Sequence, residues 1–242
     1  MSCARSSRPT GGHPAPRLTA VKSRAQQGRY GFHPVPRDRG AALSHQTISY
    51  AIGDRLYLNI TDRCTLACRF CPKTLGSRRV HAYDLTLAHR PTQAEILVAI
   101  DDPRRFSEVV FCGFGEPTLR LALLLDTARH IKHNGGRVRV NTDGLANRVH
   151  RRNVLPEMAD CVDALSVSMN AQDRDVYDRH CAPALADSYD AMLAFLSAAP
   201  RYIDDVTATA IDGLDGVDIA ACRGVADRLG VGFRQRELDV VG

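Results

Sequence analysis

The chain has 242 residues, of which 44% are hydrophobic and 24% charged, and its formal net charge is +5 at pH 7. It contains no apolar run of about twenty residues, which a membrane-spanning helix needs, and no apolar segment of the secretory-signal type. We therefore expect a cytoplasmic protein with no membrane partner, in which the eight cysteines stay unpaired.

The first fifty residues differ from the rest in composition. They carry eight Lys and Arg but a single acid, Asp38, among Pro, Gly and Ser, and show no apolar periodicity. This composition predicts a disordered basic extension over 1–47, followed by one domain, 48–242, that is about neutral. Three explanations of the extension are open. It could bind nucleic acid, it could be an organellar transit peptide, or it could result from a start codon assigned too far upstream. Nucleic acid as a partner stays open.

A cysteine-rich loop follows the strand-like stretch Leu56 to Thr61. Cys64, Cys68 and Cys71 form a Cys-x3-Cys-x2-Cys run. Soft thiolates of this kind bind iron-sulfur clusters or zinc, which normally have four protein ligands. With three ligands, one metal position would stay open for another molecule. The alternatives are half of a zinc site, a redox-sensing cluster and thiols that are close by chance, although His81 and His89 lack zinc-finger spacing.

The other five cysteines suggest no second metal site, because their spacings fit none, and isolated buried cysteines usually behave as small apolar residues. Of these, Cys112 lies beside a glycine turn. The set is Cys3, Cys112, Cys161, Cys181 and Cys222.

Downstream segments alternate between helix and strand. Further strands are predicted at 108–114, 138–142, 165–170, 206–211 and 232–238. Helices are predicted at 91–101, 118–134, 152–159, 188–198 with Asp187 as its cap, and 217–229. This order predicts an α/β fold with a parallel sheet. Right-handed crossovers would curl the sheet into a partial (βα)6 barrel with its site at the carboxyl edge of the strands.

Several predicted strands end in glycines or small polar residues. The strand at 108–114 leads into Gly113-Phe-Gly-Glu-Pro-Thr118, the next into Asn141-Thr-Asp-Gly144, and the strand at 165–170 holds Ser168 and Asn170. Glycines let a backbone approach a ligand closely, and polar side chains at the carboxyl ends of parallel strands line ligand sites in α/β barrels. For each residue singly, a turn or a satisfied buried hydroxyl is an equal alternative.

The chain resembles the radical S-adenosylmethionine (SAM) enzymes in its cysteine spacing, in Phe70 before the last cysteine, and in the order of its later motifs. The resemblance implies a partial barrel of the radical SAM type, in which Cys64, Cys68 and Cys71 bind a [4Fe-4S] cluster and SAM chelates the remaining iron. An electron from the cluster would cleave SAM to methionine and a 5'-deoxyadenosyl radical, which takes a hydrogen from the substrate.

The same resemblance implies a set of SAM contacts. The Phe70 backbone would lie near the adenine, and the Gly-Glu-Pro segment would receive the amino group. Two positions depart from the family pattern, since Phe114 replaces a glycine and Asp143 an asparagine. The implied contacts are Phe70, Gly115, Glu116 and Pro117, with Asn141, Thr142, Ser168 and Asn170 near the ribose and carboxylate.

Within that superfamily, the motifs from Tyr57-Leu-Asn-Ile-Thr61 to Phe233-Arg-Gln-Arg236 are most similar to the TatD-associated radical SAM proteins. The 7-carboxy-7-deazaguanine synthase type is a neighbouring alternative. The loop 72–90 carries basic residues such as Lys73, Arg78 and Arg79, which suit an anionic substrate or a flavodoxin- or ferredoxin-like reductant, and a solvated surface loop is the alternative. The resemblance implies a TatD-type nuclease as a partner and leaves the substrate undefined. The competing hypothesis is a non-catalytic iron-sulfur or zinc protein that binds nucleic acid.

Overall fold

The computed structural model describes residues 46–238, so 1–45 and 239–242 lie outside the described residues. Most of the predicted extension 1–47, and Cys3 with it, lies outside them, and the boundary at 47 stays a prediction. The two described residues of that segment contact the fold. Thr47 accepts a hydrogen bond from Asn59 Nδ2 through its carbonyl oxygen at 3.1 Å, and Gln46 Oε1 accepts one from the Ala88 N–H at 2.9 Å.

The main sheet has seven strands that pair in chain order, apart from a small separate hairpin. The first two strands are antiparallel and every later pair is parallel, so the predicted α/β class with a mainly parallel sheet is confirmed. The sheet strands are β1 (Ser49–Ile52), β2 (Arg55–Leu58), β5 (Glu108–Phe111), β6 (Val138–Thr142), β7 (Ala164–Ser168), β8 (Asp205–Asp212) and β9 (Gly232–Glu237). The hairpin strands are β3 (Arg79–Val80) and β4 (Tyr83–Asp84).

Seven α-helices occur within residues 46–238. They are α1 (Gln93–Ile100), α2 (Leu121–His133), α3 (Ala146–His150), α4 (Leu155–Ala159), α5 (Arg174–Cys181), α6 (Ser188–Ala198) and α7 (Ile219–Leu229). Of these, α3 and α5 were not predicted. Helix α5 begins where the Asp173 side chain accepts a hydrogen bond from the Val176 N–H, a normal cap. Asp187 occupies the predicted N-cap position of α6, but its carboxylate makes no cap bond and pairs with Arg174 instead.

The two faces of the sheet differ in chemistry because successive side chains of a strand point to opposite faces. Leu58, Phe111, Val140 and Leu165 form one register row across four strands. All four are buried and pack with the helices in the main core. The opposite face carries polar side chains from β2 to β9 that line a single cavity. Strands so far apart in the sheet can line one cavity only if the sheet curves around it, as the predicted partial barrel requires.

In the part of the chain that the structure describes, no helix is both long and apolar enough to cross a membrane.

Candidate functional site

A cavity of about 330 Å³ opens at the carboxyl edge of the parallel strands, which is within the size range of small-molecule sites. Pro117, a predicted site residue, is not on its wall. It is buried at the start of a short 3-10 helix, Pro117–Arg120, where a missing N–H costs nothing. The other predicted site residues all line the cavity: Cys64, Cys68, Phe70, Cys71, Gly115, Glu116, Asn141, Thr142, Ser168 and Asn170.

The cysteine loop is held against the carboxyl end of α5. The last carbonyl groups of a helix have no partner within the helix. Here the N–H groups of Ala67 and Arg69 donate to the carbonyl oxygens of Cys181 and His180 at 3.0 and 2.8 Å. A helix that was not predicted from the sequence therefore fixes the position of the predicted metal-binding loop.

Cys181 was expected to be an isolated buried cysteine, and the structure places it beside the cysteine loop. It is fully buried, and its sulfur accepts a hydrogen bond from Asn170 Nδ2 at 3.5 Å. A hydrogen bond between the thiols of Cys68 and Cys181, together with burial, raises the pKa of Cys68. Nothing in the spacing of the cysteines indicated this contact, because Cys181 reaches the loop through tertiary packing.

Two glycines let the turn after β5 pass close to the segment after β2. A Cβ atom on Gly113 would lie 2.4 Å from Asn59 Oδ1, and one on Gly115 would lie 2.3 Å from the carbonyl oxygen of Thr61. Neither position has room for a side chain. Phe114, which departs from the family pattern, packs its ring into a small apolar cluster with Tyr50, Val80 and Leu85.

The Glu116 carboxylate joins three segments at the edge of the cavity. Its Oε1 accepts hydrogen bonds from Thr118 Oγ1 at 2.6 Å and Thr142 Oγ1 at 2.8 Å. Its Oε2 accepts one from the Asp143 N–H at 2.7 Å, and the Glu116 N–H donates to the Arg63 carbonyl oxygen at 2.7 Å. Glu116 thereby connects the cysteine loop, the glycine turn and the end of β6.

Asp143 connects the same segments from the other side. Its carboxylate accepts hydrogen bonds from the Thr65 hydroxyl and from the Leu145 N–H at 2.9 Å. Burial, followed by the neighbouring Asp143 charge, raises the pKa of Glu116 to about 8, and burial also raises the pKa of Asp143. The departure from the family pattern at this position thus has a structural role that sequence analysis left open.

Several buried polar atoms on the cavity wall lack a hydrogen-bond partner among residues 46–238. They are Asn141 Oδ1, Thr209 Oγ1, Arg139 Nε and Arg236 Nε. Leaving such a group unpaired costs about 1–3 kcal/mol, and native proteins seldom tolerate this without a reason. Their residues line the cavity, where a bound molecule is the one partner that the described residues leave to them.

The family of the chain follows from comparison with known proteins. Residues 58–229 match the model of the Radical SAM superfamily. The chain belongs to this superfamily. The matched segment runs from the end of β2 to the end of α7 and includes the cysteine loop and all the polar strand ends described above.

Individual radical SAM relatives match parts of the chain. A probable dual-specificity RNA methyltransferase RlmN from a Synechococcus species is 28% identical over 142 residues, which cover 55% of this chain and 39% of the relative. A tungsten-containing aldehyde ferredoxin oxidoreductase cofactor-modifying protein from Pyrococcus furiosus is 33% identical over 92 residues, or 37% of this chain and 23% of the relative. The chain thus spans about two-fifths of the RlmN relative's length.

The fold is similar to that of a solved radical SAM structure, TYW1 with a lysine-pyruvate adduct bound. The TM-score is 0.54 at 15% sequence identity, and the superposition covers 78% of this chain and 66% of that chain. At this identity the likeness concerns the fold alone.

Radical SAM proteins typically use a [4Fe-4S] cluster and SAM, and the donor set here fits both. No three His, Cys, Asp or Glu side chains within 46–238 are grouped as a site for one metal ion. Cluster thiolates each bind a different iron, so they need not converge on one point as zinc ligands do. The unpartnered Asn141 and Thr209 oxygens are acceptors suited to the hydroxyl and amino groups of SAM.

Proposed function

We propose that this protein is a radical SAM enzyme that holds a [4Fe-4S] cluster through Cys64, Cys68 and Cys71 and cleaves SAM reductively. The observation that supports this most is the meeting of the three thiols with the polar strand ends on the wall of one cavity. When bound, the cluster and SAM would supply a 5'-deoxyadenosyl radical that takes a hydrogen atom from the substrate.

The residues of the chain have distinct parts in this proposal. Glu116 holds the glycine turn and the end of β6 at fixed positions, so that backbone groups face the ligand without rearrangement. The apolar cluster of Tyr50, Val80, Leu85 and Phe114 borders the cavity and limits the entry of water, which protects a reactive radical. Asn141 offers its unpartnered side-chain oxygen to the ligand, and the amide of Asn170 holds Cys181 and Arg236 in place at the cavity wall.

The experiment is anaerobic reconstitution of the full chain with iron and sulfide, followed by reduction with dithionite in the presence of SAM. We expect about four iron and four sulfide per chain and formation of 5'-deoxyadenosine. The alternative is a non-catalytic iron-sulfur or zinc protein that binds nucleic acid. Zinc in place of iron, or a complete cluster that leaves SAM intact, would support that alternative.

The electron donor proposed is a flavodoxin- or ferredoxin-like protein. Exposed arginines surround the cysteine loop, namely Arg63, Arg69, Arg78 and Arg79, and none forms an ion pair with a described carboxylate. Such a surface favours an acidic partner. Activity driven by flavodoxin should fall as salt is raised from about 0.05 to 0.5 M, because salt screens the docking charges. Activity driven by dithionite serves as the control and should change much less.

Membership of the TatD-associated subgroup is a narrower proposal, supported by the motifs at 57–61, 113–118 and 233–236. A TatD-type nuclease from the same genome should then bind the purified chain in a pull-down, and absence of binding would argue against the partnership. RNA is not proposed as the substrate, because the chain spans only 39% of the RlmN relative.

A further inference from the structure

We propose that the part of the cavity lined by Tyr57, Arg139, Ser166 and Arg234 is an anion site that binds a carboxylate or phosphate group of the substrate. The inference rests on the function proposed above, since it takes the cavity to hold the substrate as well as SAM. It adds a substrate class to that function.

The four side chains lie on one face of the curved sheet. Arg139 and Asn141 are two residues apart on β6, and Arg234 and Arg236 are two apart on β9, so each pair shares the face that lines the cavity. Arg234 Nη2 reaches Ser166 Oγ on β7 at 3.4 Å. The Arg234 side chain therefore extends over β8 into the cavity.

The positive charge in this part of the cavity exceeds the negative charge that faces it. Glu108 is the one described carboxylate in ion pairs with Arg139, and it is shared with Arg55 and Arg137. Arg137 also pairs with Asp205 at 2.8 Å, so Arg55 and Arg139 are the two arginines that share Glu108 as their one described carboxylate. Arg234 makes no ion pair with any carboxylate among residues 46–238, and Arg139 Nε is buried without a partner. Arg234 is exposed at the cavity wall, and Arg139 pairs with Glu108 through Nη2 alone, so an anionic ligand would give a partner to Arg234 and to Arg139 Nε.

Tyr57 lies within reach of the same charges. Burial and the nearby Cys112 raise the pKa of Tyr57, while the charges of Arg55, Arg139 and Arg234 oppose this rise. Its phenol stays protonated at neutral pH and can donate a hydrogen bond. A phenol and two guanidinium groups together can donate several hydrogen bonds to one oxyanion, and guanidinium groups match carboxylate and phosphate oxygens in geometry.

Arg236 separates this site from the SAM region. Arg236 Nη2 donates to Asn170 Oδ1 at 3.3 Å. Burial and the neighbouring Arg234 charge lower the pKa of Arg236, while Cys112, Cys68 and Cys181 oppose this. Arg236 therefore lies toward the cysteine loop, where the SAM contacts are predicted. Arg234 instead contacts Ser166, which is outside the predicted SAM contacts. Ser166 and Arg234 pair in register with Asn141 and Thr209, which are suited to SAM, so the competition measurement below distinguishes an anion of the substrate from the SAM carboxylate.

The test is calorimetric titration of the reconstituted full chain, under anaerobic conditions and with saturating SAM. Inorganic phosphate and acetate are titrated separately, with chloride holding the ionic strength constant. We expect one of the two to bind, and the preferred one identifies phosphate or carboxylate as the recognised group. Arg234→Gln should weaken binding about tenfold or more, Tyr57→Phe several-fold, and Arg234→Lys less than Arg234→Gln.

The matched control is Arg129→Gln on α2, an arginine half-exposed and paired with Asp126, which should leave anion binding unchanged. Failure of both anions to bind would overturn the proposal, as would competition between SAM and the anion, because Arg234 would then bind the SAM carboxylate. If Arg234→Gln does not fold, Tyr57→Phe is used in its place. Several-fold weaker anion binding by Tyr57→Phe supports the proposal, and unchanged binding overturns it.

The two proposals can fail separately. A protein that binds the anion but does not cleave SAM contradicts the proposed function and leaves the anion site standing. A protein that forms 5'-deoxyadenosine but binds neither anion contradicts the anion site alone.

Discussion

The carboxylate of Glu116 accepts a hydrogen bond from the backbone N–H of Asp143 at 2.7 Å, and so connects the turn after β5 with the turn after β6. The Glu116 N–H donates to the Arg63 carbonyl oxygen, and the Thr65 hydroxyl donates to Asp143. Three motifs that are far apart in the sequence thus form one hydrogen-bonded edge of the cavity. The metal-binding loop and the predicted SAM contacts depend on the same few bonds.

The two buried carboxyl groups predict a pH effect on stability. The pKa of Glu116 rises to about 8 in the folded protein, whereas in the unfolded chain it is near 4.3. The folded state therefore binds more protons between these values, and the stability that Glu116 contributes is lost as the pH rises through about 8. We expect the Tm of the natural protein minus the Tm of Glu116→Gln to become smaller or more negative from pH 5 to pH 9, measured by thermal unfolding without SAM.

The control for this effect is Asp126→Asn, which changes an exposed carboxylate on α2. Its Tm difference from the natural protein should stay constant over the same pH range. If the Tm of the natural protein minus that of Glu116→Gln stays constant, or becomes more positive as the pH rises, the assigned direction of the pKa shift is contradicted.

Gly115 should not tolerate a side chain. In Gly115→Ala the new Cβ would lie 2.3 Å from the Thr61 carbonyl oxygen and 2.6 Å from that of Arg63. Both are backbone atoms, so no rotamer change relieves the clash, and we expect a loss of about 2 kcal/mol or more in the free energy of unfolding. The matched control is Gly224→Ala inside α7, where the Cβ meets only Arg228 Nη1 at 3.6 Å.

Since alanine is the better helix former, Gly224→Ala should stabilise the protein by about 0.5–1 kcal/mol. Urea unfolding measures both variants. Equal stabilities for the two would show that the turn after β5 has more room than the structure indicates.

Glu108 should be a main stabilising carboxylate at the amino edge of the sheet. It is buried and pairs with Arg139 at 2.7 Å and with Arg55 at 3.2 Å. Burial alone would raise the pKa of Glu108, but the bonds and charges of these arginines lower it. We expect Glu108→Gln to lose about 1–3 kcal/mol at pH 7. The lower part of this range applies because two of its three partners, Arg55 and Arg137, are half-exposed.

Because a lowered pKa contributes stability only while the carboxyl is ionised, the deficit of Glu108→Gln should shrink as the pH falls below about 4. Urea unfolding at pH 7 and at acidic pH measures this. A deficit that is independent of pH would mean that packing, and not charge, is lost in the variant.

The sequence predicted the fold better than it predicted the residues and helices that hold the site residues in position. The strands of the parallel sheet were predicted from the alternation of polar and apolar residues and from the turn residues between them. The residues that line the cavity were predicted from the motifs at the strand ends. The short helix α5 was missed because its sequence, Arg174-Asp-Val-Tyr-Asp-Arg-His-Cys181, is polar and has few apolar positions. Its role in holding the cysteine loop is a long-range contact, which no local pattern encodes.

Asp143 and Cys181 show the same limit. Asp143 was recognised only as a departure from the family pattern, and its bond to Thr65 depends on how two loops meet. Cys181 has no neighbouring cysteine in the sequence, yet its thiol lies beside Cys68. The sequence motifs thus predicted which residues line the cavity. They did not predict the hydrogen bonds that hold those residues in place, because these bonds depend on tertiary packing.

The central claim is tested most directly by the amount of 5'-deoxyadenosine that the reconstituted, reduced chain forms from SAM. The natural protein should form it, and Cys64→Ala, Cys68→Ala and Cys71→Ala should each abolish it. Cys161→Ala and Cys222→Ala, which alter buried cysteines in the core, should retain it. Absence of 5'-deoxyadenosine from the natural protein with a complete [4Fe-4S] cluster, or its persistence in any of the three loop variants, would contradict the assignment.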